Sequence, residues 1–433
     1  MRKKNIFLFE FVSGGGYNNI TLPSSLFCEG YSMLKSIIED FSRLNFETYT
    51  LLDERIAFLA PHLNTQNITL IAPNHDFIEK YEQMLLKSDS CFIIAPEFSN
   101  ILYNLTEIAS NHKKEILSVG LEGIKLGASK MRTYEFFKQA DVPTPETYLI
   151  PIQNNQFDID FIQEKFEKLN QSVIVKPEDG VGAELIFHIT NKSQITQLFK
   201  TENSLFDDSR FLILQEFVKG TDMSMSLVGR PAKKRDKPYI LSVNTQNILL
   251  TNGKVNSQYN GGMTPVLISD SLRKSLNGYL NQLDLSSFRG YFGIDFILTP
   301  DNSVKFIEIN PRLTTPYLGI RNTFDLNPLK YIIGSREKKI RKATHDLNYV
   351  SEYYRLDLKY IGKRSSASVR EELTLDLLSK IPELVTPPVL LDQSDSELNS
   401  CFIATRAKNI INSQKRKKEI AEILKLYDFI PLN

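Results

Sequence analysis

The sequence predicts a parallel α/β unit over residues 1–128, an α+β unit over 129–335 and an α+β carboxy-terminal extension over 336–433. Three observations carry that division. In the first part, short apolar runs alternate with helix-period segments, the pattern of a parallel sheet with crossover helices. A helical segment, Met131 to Ala140, then stops at Asp141-Val142-Pro143-Thr144-Pro145, where two prolines enforce an extended connection. Beyond it, short strands follow one another with helices between, until the chain turns basic and polar after Ser335.

The first apolar run, Ile6 to Val12, is bounded by Ser13 and three glycines, which fits a buried strand feeding a turn that faces phosphate or substrate. Leu26, Met33, Leu34, Ile37, Ile38 and Phe41 recur at helical spacing, and Glu47 to Leu52, Ile68 to Ala72 and Cys91 to Ala95 read as further buried strands. In the second part, strands are expected at Ser172 to Lys176, Leu185 to His188, Phe211 to Glu216, Ser224 to Val228, Tyr239 to Asn244, Gly293 to Leu298 and Val304 to Glu308. Asn260-Gly261-Gly262-Met263-Thr264-Pro265 reads as a Gly-rich turn, or alternatively as the lining of an acceptor site. The extension holds apolar stretches at Leu384 to Leu391 and Cys401 to Thr405 and ends in a charged helix. Its tract Lys415-Arg416-Lys417-Lys418 reads as a solvated helix face rather than an anionic-surface patch.

Composition excludes several function classes. The 433 residues carry 52 Lys plus Arg against 51 Asp plus Glu, so the global positive field of a nucleic-acid binder is missing. No stretch reaches the roughly 20 apolar residues of a membrane span, and Ile6 to Val12 contains Glu10 and has no cleavage signature, so a cytoplasmic protein is expected. Cys28, Cys91 and Cys401 lie far apart with no CxxC pair, which suits a reducing compartment. The five histidines are scattered and receive no metal or catalytic role.

Three segments bear chemistry. Val175-Lys176-Pro177 ends an apolar strand and leads into Glu178-Asp179-Gly180-Val181-Gly182-Ala183. The ammonium of Lys176 can neutralise phosphate charge, and Gly180 and Gly182 let backbone N–H groups approach phosphate oxygens. Some forty residues on, Ile213 to Asp222 runs as strand, turn and new strand, a connector whose main-chain groups can read adenine with a carboxylate nearby for ribose. The sharpest element pairs Gly293-Ile294-Asp295-Phe296 with Phe306-Ile307-Glu308-Ile309-Asn310. By the strand period of two, Asp295, Glu308 and Asn310 share one face, an all-oxygen set suited to Mg²⁺ or Mn²⁺.

Taken in order, Ser129-Lys130, Val175-Lys176-Pro177, the Gly180/Gly182 loop, Gln215-Glu216-Phe217-Val218, Asp222, Asp295 and Glu308-x-Asn310-Pro311-Arg312 resemble the ATP-grasp superfamily over about residues 100 to 330. The resemblance implies an ATP-grasp fold: an amino-terminal pre-ATP-grasp domain and two α+β subdomains enclosing ATP. It also implies that Lys130 and Lys176 contact the phosphates, Gly180 to Ala183 close over them, Glu216 and Val218 bind adenine, and Asp222 binds ribose. Asp295, Glu308 and Asn310 would hold Mg²⁺, and Arg312 would steady the transferred phosphoryl group or acyl phosphate, with Lys176 and Arg312 as the catalytic pair. Many relatives place an arginine where this chain has Gly293, and Arg312, Arg289 or Arg321 is expected to supply its charge; the loop also lacks a third glycine near Glu184.

A narrower resemblance, to the archaeal tyramine–glutamate ligase group, rests on Phe9 to Gly16, Glu29-Gly30 with Met33-Leu34, Leu52-Asp53-Glu54-Arg55, Ile94-Ala95-Pro96-Glu97 and Asn310 to Thr315. It implies an ATP-dependent ligase joining a small-molecule carboxylate, such as that of glutamate, to a primary amine through an acyl phosphate. Nucleic acid and membrane are not expected partners, and a homodimer is left open. The competing expectations are other ATP-grasp chemistry, namely carboxylation or peptide ligation, and a non-catalytic ATP-binding regulatory module.

Overall fold

The computed structural model describes residues 3–153, 156–180, 185–201, 211–230, 237–251, 257–336, 348–363, 366–391 and 398–432. The amino-terminal part is a parallel sheet of β1 (Asn5–Glu10), β2 (Glu47–Asp53), β3 (Asn67–Ile71), β4 (Ser90–Ile94) and β5 (Glu115–Ile116), in the order β3-β2-β1-β4-β5. Its central strand β1 is almost wholly buried because helices cover both faces, which is why Ile6 to Phe9 reads as a continuous apolar run without alternation. Helices α1 (Ser24–Arg43), α2 (Phe77–Lys87) and α3 (Ile101–Asn111) are the crossovers, and α4 (Leu121–Gly127) and α5 (Lys130–Gln139) lead away from the sheet. α5 starts where the Ser129 side chain accepts the Arg132 N–H, an N-cap that ends the preceding turn.

A second, smaller layer follows. β6 (Thr147–Leu149), a short hairpin of β7 (Ile152–Gln153) and β8 (Gln156–Phe157), α6 (Ile159–Lys168), β9 (Val173–Pro177), β10 (Phe187–Ile189), α7 (Lys192–Thr196) and β11 (Leu212–Glu216) build a sheet in the order β10-β9-β11-β6. Phe166, Val173, Val175, Phe187 and Leu214 form a core of its own, distinct from the one around β1.

The largest sheet joins β12 (Thr221–Gly229), β13 (Tyr239–Leu249), β14 (Gln258–Thr264), β15 (Gly290–Leu298) and β16 (Val304–Asn310), and α8 (Asp270–Gln282), α9 (Pro316–Thr323) and α10 (Leu329–Arg336) accompany it. The described carboxy-terminal residues continue the same sheet. β17 (Ser351–Tyr360) pairs with β14 and is followed by α11 (Ala367–Lys380), β18 (Leu384–Thr386), β19 (Leu398–Ala404), α12 (Ile410–Leu426) and β20 (Phe429–Pro431), giving the order β16-β15-β12-β13-β14-β17-β19-β18 with β20 beside β17.

One expectation changes here. The Gly-rich segment Asn260 to Thr264 lies within strand β14 rather than in a turn; Gly261, at φ 95°, and Gly262 bring it against the backbones of Tyr353 and Thr245, where a Cβ would sit 1.9 and 2.0 Å from their oxygens. The basic tract is a helix face as expected. Arg416 is held by Glu383 at 2.8 Å, and Lys417 lies 4.4 Å from the centre of the Tyr354 ring.

Helix α1 is fastened to α9 by a buried network. Arg321 donates to both oxygens of Asp40 at 2.7 and 2.9 Å and to Glu39 at 2.8 Å, and the Tyr317 hydroxyl donates to Asp40 at 2.7 Å. This pairing removes Arg321 as the charge expected in place of Gly293, because its guanidinium is spent on α1. Arg289 is exposed at the start of β15.

Candidate active site

The antiparallel ladder of β15 and β16 sets Asp295 directly opposite Glu308 and Gly293 opposite Asn310. Their side chains therefore leave one face, as the period of two requires, while Phe296, Phe306 and Ile309 fill the core. Asn310 Nδ2 donates to one Asp295 oxygen at 3.1 Å, and Gln246 Nε2, from β13, donates to the other at 3.0 Å.

Two ammonium groups arrive from different elements. Lys176 ends β9 and Lys130 begins α5, yet the Nζ of each lies 3.8 Å from the same Glu308 oxygen. Lys130 Nζ also donates to the Gly180 carbonyl at 2.7 Å. The base of the glycine loop is tied down by Glu178, whose carboxylate accepts from the Ser129 hydroxyl and from the Met131 N–H at 3.2 Å. Gly182 and Ala183 lie outside the described residues.

Burial and the Glu308 charge together push the Asp295 carboxyl up to about 7. Burial works in the same direction on Glu308, but Lys130, Lys176 and Arg312 outweigh it and hold that carboxyl below its ordinary range. Lys176 is lowered by burial and by Lys130, with Glu308 opposing. The site is thus a partly buried cluster of two carboxylates and two ammonium groups whose charges depend on one another.

Arg312 follows the hairpin and points across the cluster toward the amino-terminal sheet. Its Nε donates to Glu97 at 2.9 Å, and Glu97 stands just past the carboxy end of β4. Of the arginines weighed against Gly293, Arg312 is the one whose guanidinium reaches this face. Asp222, at the start of β12, lies two residues before Ser224, which pairs with Asp295, so it shares that strand face at the margin of the site; burial raises its carboxyl and Lys176 opposes the rise. Glu216 ends β11, an inner strand of the small sheet. Its N–H donates to the Glu146 carbonyl at 2.8 Å, its carboxylate accepts the Glu146 N–H at 3.2 Å, and Val218 follows two residues later, half-buried in the connector to β12.

A cavity of about 150 Å³ opens between the cluster and the amino-terminal sheet. Asp295, Glu308, Asn310 and Arg312 form one wall, and Glu10, Glu29 and apolar residues of α1 form the other. Glu10 is engaged within its own turn, accepting from Val12 N, Ser13 N and Ser13 Oγ at 3.0, 2.7 and 2.6 Å. Gly30 lets α1 pass over it, since a Cβ there would lie 2.5 Å from the Glu10 carboxylate. The glycine turn after β1 therefore faces the cavity through Val12, as a substrate-facing turn would.

The donor set fits a hard divalent cation. Asp295 and Glu308 face each other with like charge in a buried place, and the elevated Asp295 carboxyl marks the charge that an added cation would relieve. Among the described residues no group of three His, Cys, Asp or Glu side chains gathers for a metal, so the third protein ligand would have to be the Asn310 amide oxygen.

An ATP-grasp domain matches residues 127–316, and a pre ATP-grasp 3 domain matches 46–124. The chain belongs to the ATP-grasp family. The curated tyramine–L-glutamate ligase of Methanocaldococcus jannaschii is 26% identical over 333 residues, covering 75% of this ATP-grasp chain and 87% of the relative. A solved ATP-grasp superfamily protein from Archaeoglobus fulgidus superposes with a TM-score of 0.55 at 21% identity, over 84% of this chain and 96% of its own. The L-amino acid ligase from Bacillus licheniformis does so with a TM-score of 0.61 at 12% identity, over 100% and 99% of the two chains. With curated relatives that are ligases, this ATP-grasp protein is an enzyme of the carbon–nitrogen ligase kind. Among its described residues no helix is long and apolar enough to cross a membrane.

The structure brings Lys130, Lys176, Gly180, Asp295, Glu308, Asn310 and Arg312 together and sets Asp222 at the margin. Sequence reading assigned no role to Gln246. A signal existed, because Ser242, Asn244 and Gln246 alternate along β13 as a polar row, and Asn244 donates to Ser226 of the neighbouring strand at 3.1 Å. The Glu97–Arg312 pair spans 215 residues, and no local pattern announces it.

Proposed function

We propose that the protein is an ATP-dependent carboxylate–amine ligase that activates an amino-acid carboxylate, such as that of glutamate, as an acyl phosphate and transfers the acyl group to a primary amine. The observation that carries this reading is the convergence of Lys130 and Lys176 on Glu308, opposite Asp295, beside a cavity. The likeness to a tyramine–L-glutamate ligase supports the two substrate classes.

In this reading Lys130 and Lys176 face the triphosphate and offset its charge while the carboxylate oxygen attacks the γ-phosphorus in line and the bond to the ADP oxygen breaks. Asp295, Glu308 and Asn310 would hold Mg²⁺, or Mn²⁺ in its place, which supplies charge neutralisation at the transferring phosphoryl group. Glu216 and Val218 would meet the adenine and Asp222 the ribose, and Gly180 would border the phosphates with Gly182. Arg312, kept in place by Glu97, would steady the acyl phosphate on the cavity side. The apolar α1 wall would limit the access of water to that mixed anhydride until the amine arrives and displaces phosphate.

A coupled ADP-release assay over pairs of amino acids and amines tests the proposal. ADP formation is expected only when carboxylate and amine are both present. Release stimulated by bicarbonate would assign the site to carboxylation instead, and no stimulation by any pairing would leave a nucleotide-binding regulator.

A further inference from the structure

The acids around the cavity are not equivalent. Glu10 is held by three donors, Glu97 is spent on Arg312, Asp295 accepts from two amides, and Glu308 faces two lysines. Glu29 differs. Among the described residues its carboxylate accepts no hydrogen bond; its nearest cation is Arg355 Nη1 at 3.6 Å, and its side chain is 16% exposed while lining the cavity. Its oxygens therefore face the cavity with acceptor capacity that no described residue uses, and a ligand donor would fill it.

Arg355 belongs to β17, in the carboxy-terminal segment, and is itself steadied by Asp357 at 3.1 Å, whose carboxylate also accepts the Ser400 hydroxyl at 2.7 Å. The segment grips α1 directly around this point. Thr386 donates to the Cys28 carbonyl at 2.8 Å, the Ser24 hydroxyl accepts the Ser400 N–H at 2.7 Å, and Lys35 donates to the Val385 carbonyl at 3.3 Å. The Glu29 turn of α1 is therefore set by strands that lie more than 300 residues downstream.

We propose that Glu29 is the ammonium anchor of the acceptor-amine site and that Arg355 is its positioning residue, so that the carboxy-terminal segment takes part in choosing the amine. The ligand class is a primary ammonium on an apolar body. Leu26, Met33, Val12, Ile94 and Ile248 line the same cavity as Glu29 and give it an apolar body. Arg312, the cation on the opposite wall, is held by Glu97 and in the ligase reading faces the acyl phosphate, which leaves the Glu29 side for the amine. This inference rests on the ligase reading and adds to it which residue recognises the amine.

Glu29 must be ionised to bind an ammonium. Burial raises its carboxyl above the ordinary range, Arg355 and then Arg312 draw it back, and Asp357 reinforces the rise; Cys28 beside it and Tyr259 across the cavity are the other titratable groups that sense its charge. Removing Arg355 therefore moves the acidic limb of amine binding to higher pH.

The test is calorimetric titration of the full chain, loaded with Mg²⁺ and a non-hydrolysable ATP analogue, with phenethylamine and its neutral counterpart 2-phenylethanol. Wild type should prefer the amine by about 10-fold or more, and Glu29→Gln should abolish that preference while still binding the nucleotide analogue, which also reports that the variant is folded. Arg355→Met should bind the amine at alkaline pH with its acidic limb moved upward, and Arg355→Lys should restore the wild-type limb. A preference that survives Glu29→Gln, a wild type that does not distinguish the two probes, or an unmoved limb in Arg355→Met would overturn the proposal. If Glu29→Gln loses the nucleotide as well, the limb in Arg355→Met decides. Failure of the ligase reading has a separate mark, the absence in wild type of ADP release that requires both a carboxylate and an amine.

Discussion

Glu308 meets two ammonium groups at 3.8 Å on one oxygen and a second carboxylate across the ladder. Replacing it by Gln keeps the shape and removes the charge that balances the lysines. Turnover of Glu308→Gln is expected to fall by about 10²- to 10³-fold, the usual loss when one preorganised electrostatic group is removed. Metal-free nucleotide affinity, measured by calorimetry, should change far less. Asp295 gives a pH signature. Its carboxyl ordinarily titrates at 3.8 and is pushed up to about 7 in the fold. Its contribution to stability is complete below the lower value and is lost as pH rises through the higher one. Scanning calorimetry of the metal-free protein should therefore show wild type losing melting temperature relative to Asp295→Asn between those two values, with Mg²⁺ reversing the loss. At this scale the sequence was legible where a residue's role depends on its strand. Asp295, Glu308 and Asn310 follow from a period of two, whereas Glu97, Gln246 and Glu29 acquire partners only when distant elements meet.

Among the elements, β14 shows how a local signal misleads. Paired glycines mark turns because they tolerate unusual backbone angles, but they also mark places where two backbones nearly touch. Gly261 does both, with φ 95° and the Tyr353 oxygen 1.9 Å from where a Cβ would be. Gly261→Ala should cost about 1–3 kcal/mol of stability from the strained backbone alone, and more from the clash, read as a lowered urea midpoint. By contrast, the apolar runs of β1, β2 and β4 and the hairpin of β15 and β16 stood out in the sequence. In those strands both faces, or one alternating face, are filled by side chains from the same short window.

For the whole molecule, the balanced charge and the order of α/β followed by α+β were visible in composition and pattern. The continuation of the largest sheet through β17, β19 and β18 was not, because β14 pairs with β17 across about 90 residues that include a polar, basic stretch. That continuation has an energetic counterpart. Leu356, Leu358, Leu377, Ile403, Ile420 and Phe429 form a core of their own, and Tyr353 and Phe402 pack with Cys28 of α1. Ending the chain after residue 347 would uncover Cys28 and leave β14 as an open edge. Size-exclusion chromatography of that truncation should show aggregates in place of the full chain's discrete species.

Asp40 has one further implication, for anyone who would re-engineer substrate choice. It lies on the helix that carries Glu29, and both groups that grip it, Arg321 and Tyr317, lie on α9, a few residues after Arg312. Redesign of either wall will consequently be epistatic. Arg321→Met leaves the buried Asp40 carboxylate without a cation and should destabilise by about 3–5 kcal/mol. Asp40→Asn should cost less because Arg321 keeps Glu39 at 2.8 Å, and their double mutant should recover about 0.5–3 kcal/mol of the summed loss. Libraries that randomise one helix at a time will thus discard combinations that fold.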